Sequence, residues 1–205
     1  MYLSRIKLDI EKRKTIKALA NPNMFHAAID SAEGGERKRK LWRVDRLNGN
    51  TYLLILSEDK IDFSIVAEQF SDGEVETKSY DALIARSVSG SEWRFKLRAN
   101  PTVKKFDSNK NKSVNIPHIT PNYQLKWLAE RAERNGFSVK HDEVFVTENS
   151  WIEFRKKSGG KPVKILAVTF EGKLTITNEE LFRKAMIGGI GREKAYGLGL
   201  LTIVR

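Results

Sequence analysis

The sequence predicts an α+β protein in which one order of elements, β-α-β-β-α-β, occurs twice. Two observations carry this prediction. Short runs with apolar residues at every second position alternate with helical apolar stripes, and a Ser/Gly-rich stretch at residues 87–91 separates two such sets. This order is that of a ferredoxin-like (RRM-like) domain. We therefore predict two tandem ferredoxin-like domains, at residues 1–88 and 92–205, with an extra hairpin in the second.

The first helix of the N-terminal domain has a clear start signal. Asn21 is a good N-cap, and Pro22 suits the first helical position. The apolar residues that follow form one stripe: Met24, Phe25, Ala28, Ile29 and Ala32. The other predicted elements of this domain are a strand at 3–10, a hairpin at 41–46 and 51–57, a short helix at 63–70 and a closing strand at 74–84.

The C-terminal domain contains a helix with signals at both ends. Thr120 is a cap, Pro121 begins the first turn and Gly136 stops the helix. Its stripe consists of Leu125, Leu128, Ala129 and Ala132. The other predicted elements are a strand at 93–100, a polar loop at 101–117, strands at 143–147 and 150–156, a hairpin at 164–177, a helix at 178–187 and a strand at 198–204.

The net charge is +11, and it is concentrated in the second half of the chain. Residues 1–90 contain 15 Lys and Arg against 14 Asp and Glu, whereas residues 91–205 contain 22 against 12. Such an excess attracts a polyanion. Nucleic acid is the favoured partner, although a membrane surface or an acidic protein also fits the charge.

The chain has no cysteine, which excludes disulfides, thiolate-bound zinc and a cysteine nucleophile. No apolar run approaches the roughly 20 residues that span a bilayer. The N-terminal residues have no apolar stretch that resembles a signal peptide. We therefore expect a cytoplasmic protein that does not act in a membrane.

The most specific local feature is a glycine-rich segment at residues 189–199. Gly189 and Gly191 let backbone N–H groups approach a phosphate closely, and Arg192 and Lys194 add positive charge. The segment is neither a P-loop nor a Rossmann fingerprint, because no Gly-Lys-Ser/Thr follows and it precedes the final strand. A tight helix-to-strand connection explains the same glycines without a ligand.

His26 lies outside the apolar stripe of its predicted helix. Asn23 and Asp30 share that side, so the three residues form a polar face, and Asp30 is placed to steady a protonated imidazole. This placement favours a working residue, although a histidine on a helix surface is commonly an ordinary one. His118 and His141 fall at loop positions and are interpreted as ordinary surface residues.

The histidines and carboxylates show no spacing typical of metal ligands, so no metal site and no cofactor are predicted. A metal-dependent nuclease is therefore not expected. RNA can be cleaved without a metal, because its 2′-hydroxyl serves as the nucleophile. Such cleavage needs a positioned base, an acid and cationic or N–H support for the developing charge.

Two basic clusters are candidates for RNA contacts. Lys104 and Lys105 form the first, in the predicted polar loop. The second lies on a predicted hairpin tip, a shape that can project into a groove, and consists of Arg155, Lys156, Lys157 and Lys161. A solvated turn is the alternative interpretation. Aromatic residues are scarce among these clusters, which favours recognition of duplex or backbone over reading of single strands.

Several segments, in order along almost the whole chain, resemble one protein family. The glycine pattern resembles the C-terminal loop of the repeat-associated RNA-binding proteins of CRISPR systems. Together the segments are similar to the CasE endoribonucleases of the type I-E Cascade complex: MYLSRIKL, NPNMFHAAI, RFKLRANPT, WLAERAERNGF, VTFEGKLTIT and GGIGREKAYGLGLL.

The resemblance implies two ferredoxin-like domains and processing of precursor CRISPR RNA. It implies that the protein binds the repeat hairpin and cleaves it without a metal at the 3′ base of the stem. The product ends would be a 2′,3′-cyclic phosphate and a 5′-hydroxyl. The protein would then stay on the RNA as a subunit beside other Cascade subunits. By the same resemblance, His26 corresponds to the family's helical histidine, residues 188–199 to its glycine-rich loop and residues 155–161 to its groove-inserting element.

One position departs from the family's pattern. Some members have a catalytic tyrosine three residues before the histidine, where this chain has Asn23. An asparagine can hydrogen-bond but cannot transfer a proton, so the partner of His26 stays open. A non-catalytic RNA-binding subunit of a CRISPR ribonucleoprotein is the alternative function.

Overall fold

The computed structural model describes residues 1–32, 38–71, 73–108, 111–155 and 162–205. Within these ranges the strands form two larger antiparallel sheets and one separate two-stranded ribbon. The longest helix in the same ranges has 14 residues. None of the helices described there is long and apolar enough to cross a bilayer.

The first sheet contains four antiparallel strands in the order β2-β3-β1-β4. These strands are β1 (Tyr2–Leu8), β2 (Leu41–Leu47), β3 (Asn50–Ser57) and β4 (Val75–Ser79). The helices of this half are α1 (Arg13–Ala20), α2 (Asn23–Ser31), α3 (Ser64–Phe70) and α4 (Asp81–Ala85). A central pair made of the first and third strands is the ferredoxin-like arrangement, which confirms the predicted fold class.

The apolar stripe of α2 fixes which side of this helix faces solvent. Phe25 and Ile29 are buried in the core of the first half. The ring of Phe25 packs against the rings of Trp42 and Phe70, with centroids 5.6 Å and 4.8 Å apart. Alternation in β1 places Ile6 in the same core. The polar side of α2 is consequently left outside the core.

Two elements of the first half differ from the prediction. The sequence does not predict α1, because its only buried residues are Thr15 and Ala18, too few for an apolar stripe. The strand predicted at 74–84 ends at Ser79 and a short helix follows. Tyr80, between them, is buried in the core of the second half, a contact that no local pattern indicates.

The second sheet has the same order of strands, β11-β5-β10-β8, with β9 also paired to β10. Its strands are β5 (Glu92–Ala99), β8 (Phe137–Ser138), β9 (Val144–Phe154), β10 (Val163–Ile176) and β11 (Leu201–Val204). Its helices are α5 (Pro121–Arg134) and α6 (Glu179–Gly188). Because β8 and β9 pair with successive stretches of β10, they act as one strand interrupted by a 3₁₀ turn at His141–Glu143.

An extra hairpin is present in the second half, as predicted, but at another place. The polar stretch at 101–117, predicted as a loop, forms β6 (Thr102–Asp107) and β7 (Lys112–Pro117). These two strands pair only with each other within the described part of the chain, and we call them the β6–β7 ribbon. The loop prediction is wrong because most ribbon side chains face water, so no alternation of apolar residues marks them.

The hairpin predicted at 164–177 is also wrong, because β10 is one continuous strand. Gly172, within the predicted hairpin, allows a close approach of backbones, because a Cβ atom there would collide with the carbonyl oxygen of Glu143. The two strands predicted at 143–147 and 150–156 are likewise one strand, β9, whose pairing with β10 shifts by one residue at a bulge.

Arg43 joins the two halves at a buried junction. Its guanidinium, 1% exposed, donates to the carbonyl oxygens of Lys96 and Leu200 at 3.0 Å and 2.8 Å and to Oγ1 of Thr202 at 2.8 Å. It also donates twice to the carboxylate of Asp45, at 2.8 Å and 2.7 Å. The first sheet is thereby connected to the second. The domain limits 1–88 and 92–205 stay a prediction.

The carboxylate of Asp45 compensates the buried charge of Arg43. Burial alone would raise the pKa of Asp45, but hydrogen bonds from Arg43 and the attraction of Arg43 and Lys96 outweigh it and lower the pKa below its ordinary value. Nζ of Lys96 lies 3.6 Å from Oδ1 of Asp45. The ionised pair therefore belongs to the folded structure at neutral pH.

Candidate functional site

His26 lies on the polar side of α2, and its side chain is 35% exposed. Its neighbours Phe25 and Ala28 are buried in the core, so the backbone of the helix fixes where the imidazole emerges. The start of the helix is stabilised by Asn21, whose Oδ1 accepts a hydrogen bond from the backbone N–H of Asn23 at 3.3 Å. The imidazole is therefore accessible and carried by a fixed element.

Asp30 is the acidic neighbour of His26, one helical turn further on. Nδ1 of His26 lies 3.6 Å from Oδ1 of Asp30, and the carboxylate side chain is only 17% exposed. An imidazole that gains a proton would be stabilised by this carboxylate, while its Nε2 stays available for another group. Asn23 occupies the preceding turn and is half-buried.

The glycine-rich segment packs against the helix that carries His26. A short 3₁₀ turn at Lys194–Tyr196 contacts both α2 and β2. The backbone of Gly197 lies so close to Trp42 that a Cβ atom there would come within 2.6 Å of the indole ring. Gly189 is equally close to Leu41, where a Cβ atom would lie 2.8 Å from a methyl carbon. Both glycines are required by this contact between the two halves.

Two hydrogen bonds close the glycine-rich segment into a compact loop. The backbone N–H of Ile190 donates to the carbonyl oxygen of Gly199 at 2.9 Å. Nζ of Lys194 donates to the carbonyl oxygen of Gly188 at 2.5 Å. Gly191 lies over the ring of Trp127, with a left-handed φ of 86°. The structure therefore gives these glycines a packing role, and their contact with RNA stays a prediction.

The two predicted cations of this loop differ in their surroundings. Arg192 is exposed, whereas Lys194 is half-buried. Burial and the nearby positive charge of Arg39 both lower the pKa of Lys194. Arg39 is a cation that the sequence did not single out, because the residues between α2 and β2 show no periodic pattern. Arg39 and Lys194 place positive charge beside the loop.

The glycine-rich loop also contacts the end of β9. The ring of Tyr196 packs edge-on against the ring of Phe154, with centroids 4.8 Å apart. Phe154 belongs to a small apolar cluster with Ile165, Ala167 and Leu198, which attaches the loop to β9 and β10. Arg155, the next residue, is exposed.

The predicted basic hairpin tip therefore begins beside the glycine-rich loop. Arg155 is its one predicted contact residue within the described part of the chain. Lys156, Lys157 and Lys161 lie outside the described residues. The structure brings together α2, the glycine-rich loop and the end of β9.

Lys104 and Lys105 lie elsewhere, on strand β6 of the β6–β7 ribbon. Both are exposed. Because successive residues of a strand point to opposite faces, their side chains lie on opposite faces of the ribbon. Lys104 is opposite Asn115 and Lys105 is opposite Val114. Their contact with the same RNA as His26 stays a prediction.

A cavity of about 870 Å³ lies between the two halves, beside α2. We call it the α2 cavity. Its lining residues include Pro22, which directly precedes α2, Phe25 of α2, Trp42 of β2, Arg98 of β5 and Tyr196 of the glycine-rich loop. Sequence reasoning missed it, because residues so far apart in the chain share no local signal.

Within the described ranges, no group of three or more His, Asp or Glu side chains is arranged to hold a metal ion.

Comparison of the sequence and structure with known proteins agrees with the fold described above. The family model described as CRISPR associated protein matches residues 1–205. The chain is 29% identical to the CRISPR-associated endoribonuclease Cse3 of Thermus thermophilus over 218 residues, which cover 99% of each chain.

A second relative matches a shorter part of the chain. The CRISPR system Cascade subunit CasE of Escherichia coli is 33% identical over 116 residues, which cover 53% of this chain and 56% of that protein. A solved structure of Cse3 bound to a 19-nucleotide RNA covers all of this chain and is itself covered completely, with a TM-score of 0.82 and 29% identity. Since the family model spans the entire sequence, the chain belongs to the CRISPR associated protein family.

Proposed function

We propose that this chain is an endoribonuclease that binds the hairpin of CRISPR repeat RNA and cuts precursor CRISPR RNA at the 3′ base of the stem. The observation that carries the proposal is the packing of the His26 helix against the glycine-rich loop, which is attached to the end of β9 beside Arg155. The helix that carries an accessible imidazole, a loop with cations and the start of a basic tip are thus neighbours.

The relatives support this proposal. The protein to which this chain is 29% identical over 99% of both lengths is named an endoribonuclease. The structure that it matches with a TM-score of 0.82 holds RNA. The second relative is named a Cascade subunit. We propose on this basis that the chain stays on the cut RNA beside other Cascade subunits.

The proposed chemistry uses the RNA itself as the nucleophile. The 2′-oxygen attacks the adjacent phosphorus and the bond to the 5′-oxygen breaks, which gives a 2′,3′-cyclic phosphate and a 5′-hydroxyl. The 2′-hydroxyl loses one proton and the 5′-oxygen gains one, so a single imidazole contributes as base or as acid. His26 takes this role, and Asp30 stabilises its protonated form.

Asn23 does not transfer a proton in this scheme. Its amide hydrogen-bonds to a phosphate oxygen or helps to orient the imidazole. Arg192 and Lys194 supply positive charge where the phosphate becomes more negative in the transition state. The basic excess of residues 91–205 supplies binding of the hairpin.

The proposed reaction needs no metal ion, and a cleavage assay in excess EDTA tests this. A labelled repeat hairpin with its flanking nucleotides should be cut at the same rate with and without chelator, and the upstream product should carry a cyclic phosphate. The control is a nuclease that requires a divalent ion, assayed on the same RNA, and EDTA must abolish its cleavage. Loss of cleavage in EDTA, with recovery on adding a divalent ion, would overturn the mechanism.

A further inference from the structure

The α2 cavity has one apolar wall and one polar floor. The apolar wall is supplied by Pro22, directly before α2, by Phe25 of α2 and by Tyr196 of the glycine-rich loop. The floor is formed by neighbouring strands of the second sheet, where Thr169 pairs with Arg98 on one side and with Glu148 on the other. Sites for planar organic groups combine these two surfaces, because apolar contact gives affinity and a few polar groups give orientation.

Two buried donors at this cavity are unsatisfied. Nε1 of Trp42 and Nε of Arg98 are both buried, and neither has a hydrogen-bond partner among the residues that the structure describes. Trp42 and Arg98 both line the cavity. A buried polar group without a partner is unfavourable, and a shift of either side chain on binding would bring its donor to the acceptors of a ligand in the cavity.

The charges around the cavity nearly cancel, which argues against a phosphate inside it. Asp45 pairs with Lys96, and the charge of Glu148 attracts Arg98. Oγ1 of Thr169 donates to Glu148 at 3.1 Å. Because the cations of the cavity are already engaged by these carboxylates, they offer a phosphate little net attraction. A neutral group with hydrogen-bond donors and acceptors fits the cavity better. Arg46 is exposed beside the cavity and is available to contact a phosphate outside it.

The cavity adjoins the proposed catalytic helix. The backbone N–H of His26 donates to the carbonyl oxygen of Pro22 at 3.1 Å, so the cavity wall lies one helical turn from the imidazole. We propose that the α2 cavity binds the base of one unpaired nucleotide that flanks the cut in the repeat RNA. This inference rests on the proposed function and adds a specificity site to it.

The base would be recognised as unpaired bases in RNA commonly are, by an aromatic side chain and by hydrogen bonds to its edge. Tyr196 provides the ring, and its half-buried position leaves part of the ring accessible. Arg98 and Trp42 donate to acceptors of the base, and Glu148 accepts from an amino group. A paired base of the stem could not enter, because its edge is occupied by its partner.

The test compares Arg98→Met with wild type on three RNAs at one salt concentration. The first is the repeat hairpin with unpaired nucleotides on both sides, the second has abasic sugars at the positions that flank the cut, and the third is the trimmed stem. Arg98→Met should weaken binding of the first RNA about tenfold, since edge contacts of this kind discriminate by that order. The second and third RNAs should bind both proteins alike.

Arg94→Met is the matched control, because Arg94 is an exposed arginine of the same strand outside this cavity. It should affect all three RNAs equally. Ser150→Trp, which fills the cavity from β9, should reproduce the selective loss. Equal weakening of all three RNAs by Arg98→Met would contradict the inference.

Wild-type protein separates the inference from the proposed function even if Arg98→Met fails to fold. Wild type should bind the abasic RNA about tenfold more weakly than the intact RNA. Tight binding and cutting of both RNAs alike would leave the proposed function standing and refute the base pocket, whose cavity would then hold only water. A wild type that does not bind the repeat hairpin would refute the proposed function itself.

Discussion

Replacing Arg43 with methionine should destabilise the protein strongly. Methionine keeps much of the length of the side chain but donates no hydrogen bond. The change leaves the partly buried carboxylate of Asp45 with the more distant Lys96, and it deprives the oxygens of Leu200 and Thr202 of their donor. Removing one partner of a buried ion pair costs about 3–5 kcal/mol. We expect a loss of that size in the free energy of unfolding.

Urea denaturation at neutral pH measures this loss, and the melting temperature should fall by about 10 °C for a chain of this length. Arg94→Met is the control, because it removes an exposed arginine and should cost less than about 1 kcal/mol. Combining Arg43→Met with Asp45→Asn should cost less than the sum of the single changes, since the double variant leaves no unpaired charge. A small loss in the free energy of unfolding for Arg43→Met, or losses that add up in the double variant, would refute this account of the junction.

The same pair gives stability a defined dependence on pH. The folded-state pKa of Asp45 is lowered below its unfolded value. Its contribution is therefore fully present above about pH 4, the unfolded value, and is lost as the pH falls through the folded-state pKa. Denaturation at a series of pH values should show the difference between wild type and Asp45→Asn shrinking towards acid. A difference that grows there would show the opposite sign of linkage.

Two further predictions concern the basic tip and the glycine-rich loop. Substituting the first three cations of the tip should weaken binding of the RNA hairpin. The slope of log affinity against log salt concentration should become less steep by up to about one unit per lost phosphate contact. Unchanged affinity and slope would indicate that the tip is a solvated turn. This triple variant is Arg155→Ala, Lys156→Ala and Lys157→Ala. Gly197→Ala should lower the denaturation midpoint more than Gly90→Ala: both residues have left-handed φ, 78° and 81°, but only Gly197 would bring a Cβ atom against Trp42. Equal losses would show that this close approach is unimportant.

Much of the fold could be predicted, because its elements carry local signals. The two ends of α5, marked by Thr120 and Gly136, and the stripe of α2 are encoded within a few residues. The ribbon and the continuity of β10 could not be predicted, for opposite reasons. The ribbon has no buried face to impose alternation, and Gly172, within the predicted hairpin, accommodates a neighbouring backbone in a continuous strand. Local sequence patterns indicate burial and turns, but they do not indicate which distant segments of the chain pack against a residue.

The candidate site was predicted only in part. The placement of His26 outside the stripe follows from helical geometry, and the structure shows its side chain partly exposed. The junction could not be predicted, since Arg43 donates to a carbonyl 157 residues away. The packing of Gly197 on Trp42 is likewise a long-range contact, although the unusual density of glycines did mark that loop. The α2 cavity exists only because these contacts bring the two halves together.

The most direct test of the proposed function is a single-turnover cleavage assay of His26→Ala at saturating protein, beside an equilibrium binding measurement on the same RNA. General acid–base catalysis contributes typically about 10²–10⁴-fold in rate, so the variant should lose a factor of this order while its affinity changes little. Asn23→Ala should lose less, and His141→Ala, which removes an exposed histidine of a 3₁₀ turn, should cut as wild type does. Cleavage by His26→Ala at the wild-type rate would contradict the proposed catalysis.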